Sequence, residues 1–199
     1  ADAATHDYFG WSVAIDGDTV VVGSPYDADG GINSGSAYVF RTTDGGATYV
    51  EVAKLTAADA AAYDTFGISV AIDGNTIVVG TNNKEAVYVF LTTDGGATYG
   101  QVAKLTASDA AANDYFGRSV AISAGIIAIG AMGDVEGGGF GSGSVYLFHT
   151  EDDGATWSEF AFLIASDAAA EEYFGTSVAI SGVRVITGAY KDDDAAANH

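Results

Sequence analysis

The chain is written in short apolar runs separated by turn residues. Ser12-Val-Ala-Ile15 is followed by Asp16-Gly17, then by Thr19-Val-Val-Val22 and Gly23. An Asp-Gly pair between two such runs is a strong hairpin signal. The second run is unbroken rather than alternating, which predicts a strand buried on both faces, as in a sheet stacked between two others. Ser36-Ala-Tyr-Val-Phe40 predicts a third strand, and the turn Asp44-Gly-Gly46 leads to a fourth around Tyr49 to Leu55. An Ala-rich acidic connector follows, for example Thr106-Ala-Ser-Asp-Ala-Ala-Ala-Asn-Asp114. It is too short and too rich in Asp for a long helix and is read as at most one helical turn.

This order recurs. Tyr8-Phe-Gly-Trp-Ser-Val-Ala-Ile15 is repeated at Thr65 to Ile72, Tyr115 to Ile122 and Tyr173 to Ile180. The Phe residues fall at 9, 66, 116 and 174, so the spacings are 57, 50 and 58. From Phe to the Gly ending the second run the step is always 14: Phe9 to Gly23, Phe66 to Gly80, Phe116 to Gly130, Phe174 to Gly188. From the Tyr of the third run to the next Phe it is always 28: Tyr38 to Phe66, Tyr88 to Phe116, Tyr146 to Phe174. Only the loop between changes, at 15, 8 and 16 residues from Gly23, Gly80 and Gly130 to the next Tyr. A fixed scaffold with one elastic loop is the result, since loops carry few packing constraints.

Repeated four-stranded antiparallel units of this length predict an all-β β-propeller. Solenoid repeats are usually shorter, about 20–45 residues, and rarely hold four hairpin-linked strands. The chain reads as a single, incomplete propeller segment over 1–199. Three full blades span approximately 8–64, 65–114 and 115–172, and half of a fourth spans 173–199. A closed propeller generally needs at least about four blades. Two copies of this chain would both lack the same half blade. The expectation is therefore a fragment whose chain continues past His199 and supplies the rest of the propeller.

Phe-Gly-x-Ser-Val-Ala-Ile, followed by an apolar run and Gly, resembles the FG-GAP repeat of integrin α-subunit propellers and many extracellular proteins. Gly23-Ser24-Pro25 is the nearest match to that family's Gly-Ala-Pro; Gly130-Ala131 and Gly188-Ala189 keep part of it, and Gly80-Thr81 keeps only the Gly. The resemblance covers nearly the whole chain. It implies a propeller, a binding or cell-adhesion role, and an extracellular or cell-surface setting. Separately, Thr150-Glu-Asp152-Asp-Gly154-Ala-Thr156-Trp157 resembles the Asp-box hairpin of sialidase-type propellers, and Thr42 to Tyr49 and Thr92 to Tyr99 repeat it with Tyr in place of Trp.

Charge narrows the partners. Lys and Arg total 7 against 27 Asp and Glu, for a formal charge of −20. Such a surface repels nucleic acid and anionic membrane faces. It suits cations or cationic partners, and it also keeps a β-protein soluble and its edges unpaired. No run approaches the roughly 20 apolar residues of a membrane span, and the chain itself, which starts in the middle of a motif at Ala1, carries no targeting signal. There are no cysteines, which excludes disulfides and thiolate metal sites.

Candidate chemistry is sparse. In Asp44, Asp94 and Asp152 a short carboxylate in a Gly-rich turn accepts backbone N–H bonds and locks the hairpin. Sialidase chemistry would, by resemblance, need three clustered arginines, whereas Arg41, Arg118 and Arg184 stand at non-equivalent positions. The calcium loop of integrin-type blades lies between strands one and two. Here that link is only Asp16-Gly-Asp18, Asp73-Gly-Asn75, Ser123-Ala-Gly125 or Ser181-Gly182, too short for calcium's 6–8 or so oxygen ligands. A weaker metal set lies in the variable loops, at Asp27 and Asp29, Asp134 and Glu136, and Asp192, Asp193 and Asp194. These loops share a rim with the acidic connectors, so calcium is the candidate cofactor there, against the plainer reading of solvated acidic loops. His6, His149 and His199 fall at unrelated repeat positions, and no nucleophilic triad or phosphate loop can be assembled. The Gly137-Gly-Gly139 run lies in a variable loop with no helix or Lys after it, so it reads as linker. The expected function is a non-catalytic binding or adhesion module for a protein or glycan, using the acidic variable face. The alternatives are part of a propeller enzyme acting on polysaccharide or glycan, and a purely structural repeat.

Overall fold

The structure is a computed structural model that describes residues 4–136 and 138–192. Its described residues contain strands and turns but no helix, so each connector is a set of tight turns.

The first sheet comprises β1 (Ser12–Asp16), β2 (Thr19–Ser24), β3 (Ser36–Arg41) and β4 (Val50–Leu55). The second comprises β5 (Ser69–Asp73), β6 (Thr76–Gly80), β7 (Val87–Leu91) and β8 (Gly100–Leu105). The third comprises β9 (Phe116–Ser123), β10 (Ile126–Ala131), β11 (Ser144–His149) and β12 (Ser158–Leu163). The last is a two-stranded sheet of β13 (Phe174–Ser181) and β14 (Arg184–Ala189). Every sheet is an antiparallel meander in chain order. The Asp-Gly links make two-residue hairpins, with Asp16 opposite Thr19 and Asp73 opposite Thr76. Strands three and four carry the same bulge in each complete sheet, after Val39, Val89 and Leu147. A bulge at one repeated position sharpens the twist that lets blades stack around an axis.

Strand two of each complete blade (β2, β6, β10) is buried on both faces, as its apolar run requires, whereas β14 of the half blade is partly exposed. One face of the first sheet (Val21, Ala37, Val39) packs on Phe66, Val70, Ile77, Val79, Tyr88 and Phe90 of the second. The second in turn packs Val78, Val87 and Val89 against Phe116, Ile127, Ile129, Tyr146 and Phe148. Ala128, Val145 and Leu147 meet Phe174, Val178 and Val185. The motif Phe wedges between the two strand-three aromatics of its own blade: Phe116 lies 5.5 Å from Tyr146 and 6.2 Å from Phe148. Phe66 and Phe116 are fully buried, whereas Phe9 is 45% exposed because no described blade precedes the first.

Polar latches join the same faces. The strand-one Ser hydroxyl donates to the carbonyl of the next blade's motif Gly: Ser12 to Gly67 at 2.8 Å, Ser69 to Gly117 at 2.7 Å, Ser119 to Gly175 at 2.8 Å. The hairpin acids reach across too, Asp16 accepting from Gly74 N–H and Asp73 from Ala124 N–H, both at 2.7 Å. This explains why the first two strand-one-to-two turns keep an acid in so short a link: the carboxylate serves the neighbouring blade, a role that Ser123 Oγ takes over in the third by accepting from Gly182 N–H at 3.1 Å.

One repeated feature carries strain. The residue before each motif Phe (Tyr8, Thr65, Tyr115, Tyr173) has φ of 54°, 54°, 56° and 58°. Left-handed backbone is uncommon outside Gly and is an outlier for a β-branched Thr. Thr65→Gly is expected to relieve that strain, at the loss of the hydroxyl's bond to the Asp64 carbonyl. Its urea midpoint should stay within about 1 kcal/mol of the parent in stability, against a larger loss for an ordinary buried Thr→Gly.

Candidate functional site

The two ends of each blade differ in kind. The rim formed by the strand-three-to-four hairpins is constant. Asp44 accepts from Thr48 N–H at 2.9 Å and Thr48 Oγ1 at 2.6 Å. Asp94 repeats both contacts with Thr98, and Asp152 with Thr156. The Asp-box acids are thus hairpin locks, as their turn chemistry predicts. Hydrogen bonds from Thr48, Thr98 and Thr156 hold all three carboxyls below the usual carboxylate range.

The opposite rim gathers the variable loops and the connectors around the strand-three Tyr hydroxyls. In the first blade Tyr38 donates to buried Asp27 at 2.7 Å. Lys54 sits 3.0 Å from Asp27, bonds Asp29 as well, and lies 5.2 Å from the Tyr38 ring centre. In the second, Tyr88 donates to Asp59 of the connector at 2.6 Å, with Lys104 at 2.7 Å from the same acid and Lys84 at 2.6 Å from Asp64. In the third, Tyr146 stands 2.8 Å from Asp109 and 2.7 Å from buried Asp134. A phenol carries one hydrogen, so it serves only one of these acids at a time. The position of Lys54 and Lys104 is taken by Phe162, which stacks on Tyr146 at 6.0 Å. The third blade's rim therefore keeps its carboxylates without a resident ammonium. Desolvation, together with the charges of Asp134 and Asp109, raises the neighbouring Asp114 carboxyl.

Of the metal candidates, Asp27 and Asp29 share the Lys54 ammonium. Asp134 is tied to Tyr146, and its other oxygen accepts from Glu136 N–H at 3.1 Å. Glu136 itself is exposed. Asp192 ends the turn after β14, and Asp193 and Asp194 lie outside the described residues. Loops and connectors do meet on one rim, as the repeat implies. Among the described residues, however, no three Asp, Glu or His side chains converge as metal ligands. The described candidates thus stay short of the 6–8 or so oxygens that calcium takes.

Glu85 is a residue that motif reading passes over. In the first and third blades, the variable loop offers carbonyls to the next connector. Ile32, Asn33 and Ser34 accept from Tyr63, Thr65 and Phe66, and Phe140, Gly141 and Ser142 accept from Glu171, Tyr173 and Phe174. The second loop is too short to do this. The Glu85 carboxylate takes its place, accepting from Asn113 at 3.0 Å, Tyr115 at 3.2 Å and Phe116 at 2.7 Å. Desolvation raises its carboxyl. Glu85→Ala strands these donors and is expected to cost about 1–3 kcal/mol in a urea melt, with Glu85→Gln losing less because one acceptor oxygen remains.

Acid titration has a defined sign. Asp59, hydrogen-bonded first by Lys104 and then by Tyr88, is held down to about 2. A lowered folded pKa contributes stability that is complete above the unfolded value of about 3.9 and lost as pH falls toward the folded one. Asp44, Asp94 and Asp152 act in the same direction. The urea midpoint is expected to fall between about pH 4 and pH 2, and Asp59→Asn should remove part of that slope.

The stacked four-stranded meanders make this a β-propeller segment, with a constant rim and a variable one. The chain belongs to the FG-GAP repeat family, whose model matches residues 1–40, 49–98, 99–148 and 157–199. No curated protein sequence matches it. Among solved structures it is similar to Saccharomyces cerevisiae Sqt1, at 15% identity with TM-score 0.53, over 86% of this chain and 40% of that one. It is also similar to a putative 6-phosphogluconolactonase from Bacteroides uniformis, at 14% identity with TM-score 0.55, over 92% of this chain and 54% of that one. At such identity the likeness concerns the fold alone. The chain spans about half or less of the length of these structures. No helix among the described residues is long and apolar enough to cross a membrane.

Proposed function

We propose that the protein is a non-catalytic binding module that presents the variable rim to a protein or glycan ligand in an extracellular or cell-surface setting. One observation carries this reading. Length and side-chain chemistry vary on that rim, while the latches, bulges and Asp-box turns beneath it repeat. Function on rigid scaffolds concentrates in such loops. The formal charge of −20 favours cationic or neutral ligands over nucleic acid. Calcium is not part of the proposal.

The test is binding of the purified chain to glycan and immobilised-protein arrays, alongside Asp29→Ala and Glu136→Ala, two exposed rim acids. Ligands lost in these variants but kept by Asp18→Ala, at a strand-one-to-two turn, support the rim. Turnover of a glycan substrate, or binding indifferent to the rim acids, contradicts it.

A further inference from the structure

The constant rim holds an uneven pair of cavities. Between the first two blades lies a small one of about 220 Å³, bordered by Thr19, Arg41, Gly95, Gly96 and Tyr99. Arg41 lines and narrows it: its Nη1 donates to the Gly95 carbonyl, and its guanidinium lies where a Cβ on Gly96 would come within 2.7 Å. One blade further on, the equivalent cavity is about 550 Å³. The repeat register places Leu91 where Arg41 stands, Glu151 where Thr93 stands, Asp153 where Gly95 stands and Trp157 where Tyr99 stands. Gly154 keeps the place of Gly96, with Thr76 Oγ1 and Leu91 in front of it.

The second cavity has thus lost its internal guanidinium and gained two carboxylates. Asp73 and Asn75 border it from the second blade, and no Lys or Arg lines it. Among the described residues, Asp153 has no side-chain hydrogen bond or ion pair, and Glu151 meets His149 alone, at 3.6 Å. Trp157 is anchored by its Nε1 donating to the Gly154 carbonyl at 2.9 Å, which fixes the ring in one orientation. A planar, weakly hydrated cation suits carboxylates beside an aromatic ring better than a compact ammonium does. The cavity is also within the roughly 300–1,000 Å³ range of small-molecule sites.

We propose that the cavity between the second and third blades binds a guanidinium group, the side chain of an arginine presented by a partner protein, in the position that Arg41 occupies one interface earlier. This site is separate from the variable rim and stands or falls independently of it.

The probe is arginine amide, with neutral citrulline amide as its isostere. The readout is the indole N–H resonance of Trp157, assigned against Trp11 with Trp11→Phe. Arginine amide is expected to shift the Trp157 signal saturably, and citrulline amide to leave it in place. Leu91→Arg, which restores the internal guanidinium, should abolish the shift. Asp153→Gly with Glu151→Thr, both exposed and both copied from the first cavity, should weaken binding about five- to tenfold. Asp18→Asn, which removes one negative charge elsewhere, should change nothing. If Leu91→Arg fails to fold, the double variant decides. No saturable shift, an equal response to citrulline amide, or unchanged affinity in the double variant overturns the assignment.

Discussion

Phe116→Ala is expected to lower stability by about 3–5 kcal/mol, the usual cost of truncating a fully buried Phe. Phe116 is fully buried, sits between Tyr146 and Phe148, and belongs to the cluster that joins the second and third blades. The cavity would open at a blade interface, where backbone latches on both sides hinder collapse. Phe9→Ala is the internal comparison. The same motif residue is 45% exposed there, so its loss should be less than half as large. Urea melts of the two variants read the difference directly. Equal losses would mean that the motif Phe supports its own sheet rather than the stacking of blades.

Gly80→Ala is expected to be nearly as damaging, at about 3 kcal/mol. A Cβ at Gly80 would lie 2.0 Å from the Gly117 carbonyl oxygen and 2.3 Å from Ser69 Oγ. The obstacle is backbone, and the same carbonyl accepts the Ser69 latch, so neither partner can yield without breaking the interface. Gly23 and Gly130 meet the same 2.0 Å obstacle at Gly67 and Gly175. Gly100→Ala, at the start of β8, meets nothing within 4 Å and should change stability by less than about 0.5 kcal/mol.

That pair shows what was readable in the sequence. The constant 14-residue step from Phe to Gly marks the glycines as special, and the strands, hairpins and stacked-sheet burial follow from the apolar runs. The Asp-box acids were legible because their partners are two to four residues away. The physical reason for the glycines was not, because the obstructing carbonyl belongs to the next blade, 37 to 45 residues further along the chain. Glu85 was hidden for a related reason. A side chain that replaces three loop carbonyls has no motif of its own, and the clue was only that the shortest loop ends in Glu. The Lys54, Lys104, Phe162 series is visible in an alignment of the repeats. Its meaning depends on the Tyr hydroxyl and the acids that the fold brings beside it. The candidate metal set shows the limit of composition: the acids do gather on one rim, yet Lys54 and Tyr146 engage them first.

The central claim is that a constant scaffold carries one interchangeable loop. The direct measurement is thermal unfolding of a chain in which residues 131–145 are replaced by the shorter 81–87. The grafted copy of Glu85 would then accept from Glu171, Tyr173 and Phe174 in place of the lost carbonyls. The account predicts cooperative unfolding within a few degrees of the parent, and a further drop when the grafted Glu is changed to Ala. A graft that fails to fold, or one indifferent to that Glu, would contradict it.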